Sequence, residues 1–280
     1  MVSEQEGTPT VDEPLTEDEY VGHEYSSSRI STRARRRQTL LFLCFGTTLV
    51  VVAALWWYDY FEIPAIVQEK VDPPSVRFNR LCQAVRDENG TKLHIEGFSV
   101  DDSMVPRIGE FQSLETLIID EGIVTDETID LIAQLSKLQH LRLRLSPIGD
   151  EGLKQLASCE ELWFLNLPHA SCTVEGVKSL ASLKKLRQIR LGSKELDNQV
   201  TVALTKIPSL RSIHLIGVPV TDEGLRNLAS MPYLESLYLD DSAVTEEGWD
   251  WLFREHSHLH VHIDQAHHDR DPKAHDHHDL

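Results

Sequence analysis

The sequence predicts an α/β solenoid, with parallel strands on a concave face and helices on a convex one, preceded by a single transmembrane helix. Three observations carry this reading. Leucines recur at 114, 138, 162, 186, 210 and 234, each 24 residues after the last. Three and five places after each comes another apolar residue: Leu117 and Ile119, Leu141 and Leu143, Leu165 and Leu167, Ile189 and Leu191, Ile213 and Leu215, Leu237 and Leu239. Ahead of this array, residues 39–58 contain no charged side chain.

The phase extends back to Leu93 and Ile95 and forward to Val261 and Ile263, giving eight pairs, all apolar. In a chain that is 41% hydrophobic, chance would fill about six or seven of those sixteen places, so the period is real. Apolar residues two apart predict a short strand with one buried face. A further apolar residue marks the turn in each unit: Val100, Val124, Ile148, Cys172, Leu196, Val220, Val244. The spacing then becomes helical, as at Ile129, Ile132 and Leu135, or Leu225, Leu228 and Met231. Thr221-Asp222-Glu223, Thr125-Asp126-Glu127 and Thr245-Glu246-Glu247 have the composition of an N-cap followed by acids in the first helical turn. Each unit is strand, turn, helix and return.

A leucine followed by apolar residues three and five places on, then Val-Thr-Asp-Glu-Gly-Leu, resembles the leucine-rich-repeat family, in its short subclass with a helical convex side. The resemblance covers roughly residues 90–264 and implies a right-handed solenoid. It also implies Asn, Cys or Thr three places after the last strand leucine, tying neighbouring coils together. Here those places hold Gly122, Ser146, Ala170, Lys194, Val218 and Ser242, so that backbone must find other partners or water.

Strands pack about 4.8 Å apart and helices about 10 Å, so the array must curve with its strands inside. The outward strand residues then line the concave face. The central column reads His94, Ile118, Arg142, Asn166, Arg190, His214, Tyr238, His262. One flank holds Lys92, Thr116, His140, Phe164, Gln188, Ser212, Ser236 and His260. The other holds Glu96, Asp120, Arg144, Pro168, Gly192, Ile216, Asp240 and Asp264. His140, Arg142, Arg144 and Arg190 cluster at mid-array, beside Phe164, Asn166, Gln188, His214 and Tyr238. Arginine with aromatics is the composition of binding hot spots. These nine residues are the candidate site for a protein or peptide partner.

The remaining chain sets the context. Formal net charge is −18, which argues against nucleic acid, whose phosphates require a basic face. Residues 1–38 are acidic and poor in apolar residues, predicting disorder, and end in a basic cluster of Arg29, Arg33, Arg35, Arg36 and Arg37. Residues 39–58 are long enough to span a bilayer and close on Trp56, Trp57 and Tyr58. The arginines precede the span, predicting a single-pass protein with a cytoplasmic N-terminus and extracytoplasmic repeats. No signal-cleavage site is evident, so the anchor is expected to be retained. Residues 59–74, with Pro64, Pro73 and Pro74, predict a stalk, and the repeat domain spans 75–264. Ser75 is expected to cap a short helix, and Asn89-Gly90 to turn a β-hairpin between Ala84–Glu88 and Thr91–Ile95 that closes the first coil. Cys159 and Cys172 occupy core places as buried thiols, or as a disulfide.

Residues 265–280 predict a disordered tail rich in His and Asp. Just before it, His258, His260 and His262 alternate, so on a strand they would share one side. Imidazoles in that arrangement bind zinc, nickel or copper, with Asp264, Asp269, Asp276 and Asp279 as further donors. A pH-responsive tail is another reading of the same residues. No phosphate loop, nucleophile elbow or His-Glu-x-x-His motif occurs, so the sequence predicts a binding protein, not an enzyme.

Overall fold

The period of 24 residues becomes a register. In the computed structural model, which describes residues 72–267, eight parallel strands lie side by side in chain order. They are β1 Lys92–Ile95, β2 Thr116–Ile119, β3 His140–Leu143, β4 Phe164–Leu167, β5 Gln188–Gly192, β6 Ser212–Ile216, β7 Ser236–Asp240 and β8 His260–Ile263. A ninth strand, β9 Ala266–His267, pairs antiparallel with β8. Each repeat residue pairs with its counterpart one coil on: Leu117 with Leu141, Leu165 with Ile189, Ile213 with Leu237. Coils of equal length therefore stack without slippage, which a one-residue shift would turn inside out.

Between the strands run short helices at Val105–Ile108, Ile129–Ala133, Asp150–Leu156, Val174–Ser179, Gln199–Leu204, Asp222–Ala229 and Glu246–Glu255. Every paired strand residue named above is buried except Ile263, which is half-buried. The six ladder leucines, the helix residues Ile129, Ile132, Leu225 and Leu228, and Leu135 and Met231 just beyond the helix ends complete one continuous core. Burying each such side chain contributes about 1.5–3 kcal/mol.

The N-terminal closure differs from the expected hairpin. Residues 84–87 continue an α-helix, Pro74–Asp87, that starts with proline in its first turn and has no Ser75 cap. Its buried Phe78 and Cys82 lie one turn apart and face the first coil. Asn89 takes the left-handed conformation (φ 46°) and ends this helix. The Gly90 amide donates to the Val85 carbonyl at 2.8 Å and the Asn89 amide to that of Arg86 at 3.3 Å. This is a Schellman cap, in which Asn-Gly stops a helix instead of turning a hairpin. A type I′ turn needs positive φ at both central residues, and here only Asn89 has it. Pro74 accordingly belongs to this helix and not to a stalk.

The C-terminal closure does use such a turn. Asp264 and Gln265 both have positive φ (49° and 66°) and fold β9 back along β8 inside the stretch expected to be a disordered tail. The predicted acidic segment 1–38, transmembrane helix 39–58, stalk residues 59–71 and tail beyond residue 267 lie outside the described residues. Among the described residues no helix is long and apolar enough to cross a membrane. Cys82, Cys159 and Cys172 are buried free thiols, so Cys159 and Cys172 form no disulfide.

Candidate partner-binding face

Strand alternation sends every second side chain out of the core, and the parallel register aligns them in columns. Arg142 pairs with Asn166, and Asn166 with Arg190, so a buried amide lies between two arginines on one face. Arg142, Arg144, Asn166, Pro168, His169, Arg190 and Ile216 enclose a cleft of about 390 Å³. Asn166 is 6% exposed, and its Oδ1, Arg142 Nε and Arg190 Nε have no hydrogen-bond partner among the described residues.

Charge in the cleft is only partly compensated. Arg142 Nη2 lies 2.7 Å from Asp120 Oδ1, and His94 Nε2 holds the other oxygen of that carboxylate at 2.9 Å. Among the described residues neither Arg144 nor Arg190 forms an ion pair. Burial pulls the Arg190 guanidinium below its ordinary pKa; Asp240 opposes this, and Arg142 and Arg144 reinforce it. Burial also lowers the pKa of His169, with Arg144 and Arg190 adding to the shift. Such a site gains by taking up negative charge.

Apolar surface adjoins the cleft. Pro168, His169 and Ile216 also line a second depression of about 400 Å³, with Ala170, Gly192 and Gly217. Gly192 keeps it open, because a Cβ there would stand 2.5 Å from the Pro168 carbonyl oxygen. On the other flank His140 packs against Phe164 with ring centroids 4.2 Å apart, and Trp163 closes the group at 5.8 Å from Phe164. Burial, then Lys92 and Arg142, lower the His140 pKa. A third groove, of about 770 Å³, runs past Gln139, Glu161, Trp163, Lys185, Arg187 and Arg211. Its cations are largely matched: Lys185 pairs with Glu161 and Arg211 with Glu235.

Toward the C-terminal end the same column becomes an aromatic stack. His214 stacks on Tyr238 at 5.4 Å and Tyr238 on His262 at 4.6 Å. His214 Nε2 contacts Asp240 Oδ2 at 2.8 Å. Burial nevertheless lowers the His214 pKa, outweighing that hydrogen bond. The nine residues expected at the partner site thus fall into two groups. The cleft holds Arg142, Arg144, Asn166 and Arg190, flanked by His140, Phe164 and Gln188; His214 and Tyr238 belong to the stack.

The structure brings together only two of the three histidines expected as metal ligands, His260 and His262. β8 begins at His260, so His258 lies before the strand, exposed, with its ring 5.8 Å from that of His256. His267 instead lies beside them, opposite His262 across the β8–β9 turn. Asp264, a proposed further donor, accepts the Asp241 amide at 2.7 Å.

One class of residue does more than the helix capping its position predicts. Asp102, Asp126, Asp150, Asn198 and Asp222 recur in the repeat phase, and each reaches into the next coil. Asp150 accepts from the Thr173 amide and hydroxyl, both at 2.7 Å, and from the Gly176 amide at 3.1 Å. Asp126 accepts from the Gly149 amide, Asn198 from the Thr221 amide, and Asp222 from the Thr245 amide and hydroxyl. This ladder takes the role of the missing Asn, Cys or Thr ladder, on the helix side of the turn. At the strand exit other side chains serve: Glu121 accepts the Gly97 amide and His169 the Leu145 amide.

These observations define a solenoid of 24-residue strand–helix coils bearing a cationic cleft on its strand face. Residues 134–157, the coil that carries Leu138, Leu141, Arg142 and Leu143, match the family model described as Leucine Rich repeat. No curated protein matches the sequence. Among solved structures, an internalin (inlF) from Listeria monocytogenes str. 4b F2365 is similar at 17% identity and a TM-score of 0.40. The match covers 67% of this chain and 64% of the internalin, less than two thirds of the latter.

Proposed function

We propose that the chain is a membrane-tethered interaction module whose strand face binds a protein or peptide outside the cytoplasm. An acidic group of the partner sits between Arg142, Arg144 and Arg190, and an apolar group beside it covers Pro168 and Ile216. The observation that carries this reading is the cleft itself: three guanidinium groups converge on it in a chain of net charge −18. Arginines that are partly desolvated before binding give up little hydration when a carboxylate arrives, and each is suited to bidentate recognition. A rigid repeat array provides the long surface on which such side chains are grafted. The tether rests on the uncharged run at residues 39–58 and the arginines preceding it.

Site-specific photo-crosslinking in native membranes tests the reading. A photoreactive residue at Gln188, exposed on the strand face, is expected to yield one discrete protein adduct that Arg190→Glu abolishes. The same residue at Lys154, on the helical side, is expected to yield none. Equal adducts from both positions, or an adduct indifferent to Arg190→Glu, would reject the strand face as the binding surface.

A further inference from the structure

We propose that His260, His262 and His267 form a site for one divalent transition-metal ion of the zinc class, at the C-terminal end of the strand face. The register explains why these three meet. Alternation sends His260 and His262 to the same side of β8. The two-residue turn at Asp264–Gln265 then sets His267 directly opposite His262, where cross-strand partners share a face.

The geometry suits an ion. Ring nitrogens of the three residues all lie within 4.8 Å of one another, and His260 Nε2 is 2.9 Å from His262 Nε2. A tetrahedral ion with metal–nitrogen bonds of about 2.0–2.1 Å holds its donors about 3.3 Å apart. Seating it requires the His260–His262 pair to open by about 0.4 Å and the His267 nitrogen to close by at most about 1.5 Å, within reach of side-chain rotation. The rings are already placed: His262 is 7% exposed and stacks on Tyr238, and the His262 and His267 centroids are 4.1 Å apart.

Neutral imidazoles favour zinc, copper and nickel over magnesium or calcium. Three protein donors leave a fourth position for water or an exogenous ligand, the open arrangement of a reactive or ligand-exchanging site. The other candidate grouping, His94 with Glu96 and Asp120, is weaker because Arg142 already occupies Asp120. The histidine site stands apart from the arginine cleft and does not depend on the partner-binding reading.

The test uses the full chain, purified without an affinity tag, stripped with EDTA and titrated with Co²⁺, followed by displacement with Zn²⁺. The visible ligand-field absorption of Co²⁺ reports the site. One tight equivalent is expected in the wild type, in His258→Gln, and in a tail variant with His268, His275, His277 and His278 changed to Gln. His262→Gln and His267→Gln are each expected to weaken binding at least about 100-fold while melting in EDTA like the wild type. Should His262→Gln fail to fold, His267→Gln decides alone. Wild-type affinity in His267→Gln, loss of the site in the tail variant, or only weak multi-site binding throughout would each overturn the proposal.

Discussion

Asn198 and Gly224 meet across the gap between successive coils. Asn198 Oδ1 accepts the Thr221 amide at 3.0 Å, and a Cβ on Gly224 would collide with that same oxygen. Gly152, Gly176 and Gly248 stand in the same relation to Asp126, Asp150 and Asp222. These four glycines are there because the preceding coil sends a polar side chain through the space a methyl group would fill, whereas at the equivalent place Thr128 donates its hydroxyl to Asp102. Gly224→Ala is expected to cost about 1–3 kcal/mol through that overlap. In an Asn198→Ala background the remaining neighbours are methyl groups 3.0 Å away, and the same change should cost much less. Chemical denaturation of the four proteins of this double-mutant cycle checks it.

The ladder also predicts an acid limb of stability. Burial raises the Asp102 pKa, but hydrogen bonds from Thr128 and Thr125 outweigh it and hold the carboxyl below its ordinary range. A carboxyl depressed in the folded state stabilises above its unfolded pKa, and that stability is lost as pH falls through the folded value. Melting temperature should therefore drop as pH is lowered past about 4, and Asp102→Asn should flatten this limb while lowering stability at neutral pH.

The strand-face histidines act in a higher window. His140 and His214 both have pKa values below 6.5, with burial the leading cause. Their neutral forms are favoured on folding, so their contribution is complete above pH 6.5 and is lost as pH falls through the lower folded values. A His140→Gln/His214→Gln variant should show a shallower decline in melting temperature between about pH 6.5 and 5 than the wild type. An equal decline in both proteins would exclude these two residues as its source.

The buried thiols should be inert. Burial pushes the Cys159 thiol up to about 11 and the Cys172 thiol up to about 12. Thiolate is the reacting form, so iodoacetamide at neutral pH should leave both unlabelled in the folded chain and modify both in urea. Peptide mass mapping reads the difference.

The coil architecture was legible in the sequence because one spacing, Leu114 to Leu138 and onward, fixes both the register and the buried face. The outward columns followed from alternation alone, which is why Arg142, Asn166 and Arg190 were found as neighbours. Chain ends were less legible. Asn89-Gly90 suits either a helix stop or a hairpin turn, and the apolar phase of Phe78 and Cys82, which continues the helix to Asp87, decides between them. Asp264-Gln265 carries no such turn signature, so β9 and the place of His267 opposite His262 are not legible in the sequence, and the alternation that includes His258 extends beyond the strand. The Asp ladder has the composition of simple helix capping, and its bonds to the next coil appear only in the structure. A signal for it existed: Val174 stands where five other coils have Asp or Asn, and 26 residues on Val200 replaces the glycine. Without the polar side chain there is room for a Cβ, and Val200 is fully buried.

The most direct measurement is the affinity of the partner captured through Gln188 for the wild type and for an Arg142→Gln/Arg190→Gln/Tyr238→Ala variant. The variant is expected to melt at the wild-type temperature and to bind at least about 30-fold more weakly, since a buried arginine or tyrosine anchor contributes about 2 kcal/mol. A folded variant that binds the partner as tightly as the wild type would contradict the assignment of the strand face as the recognition surface.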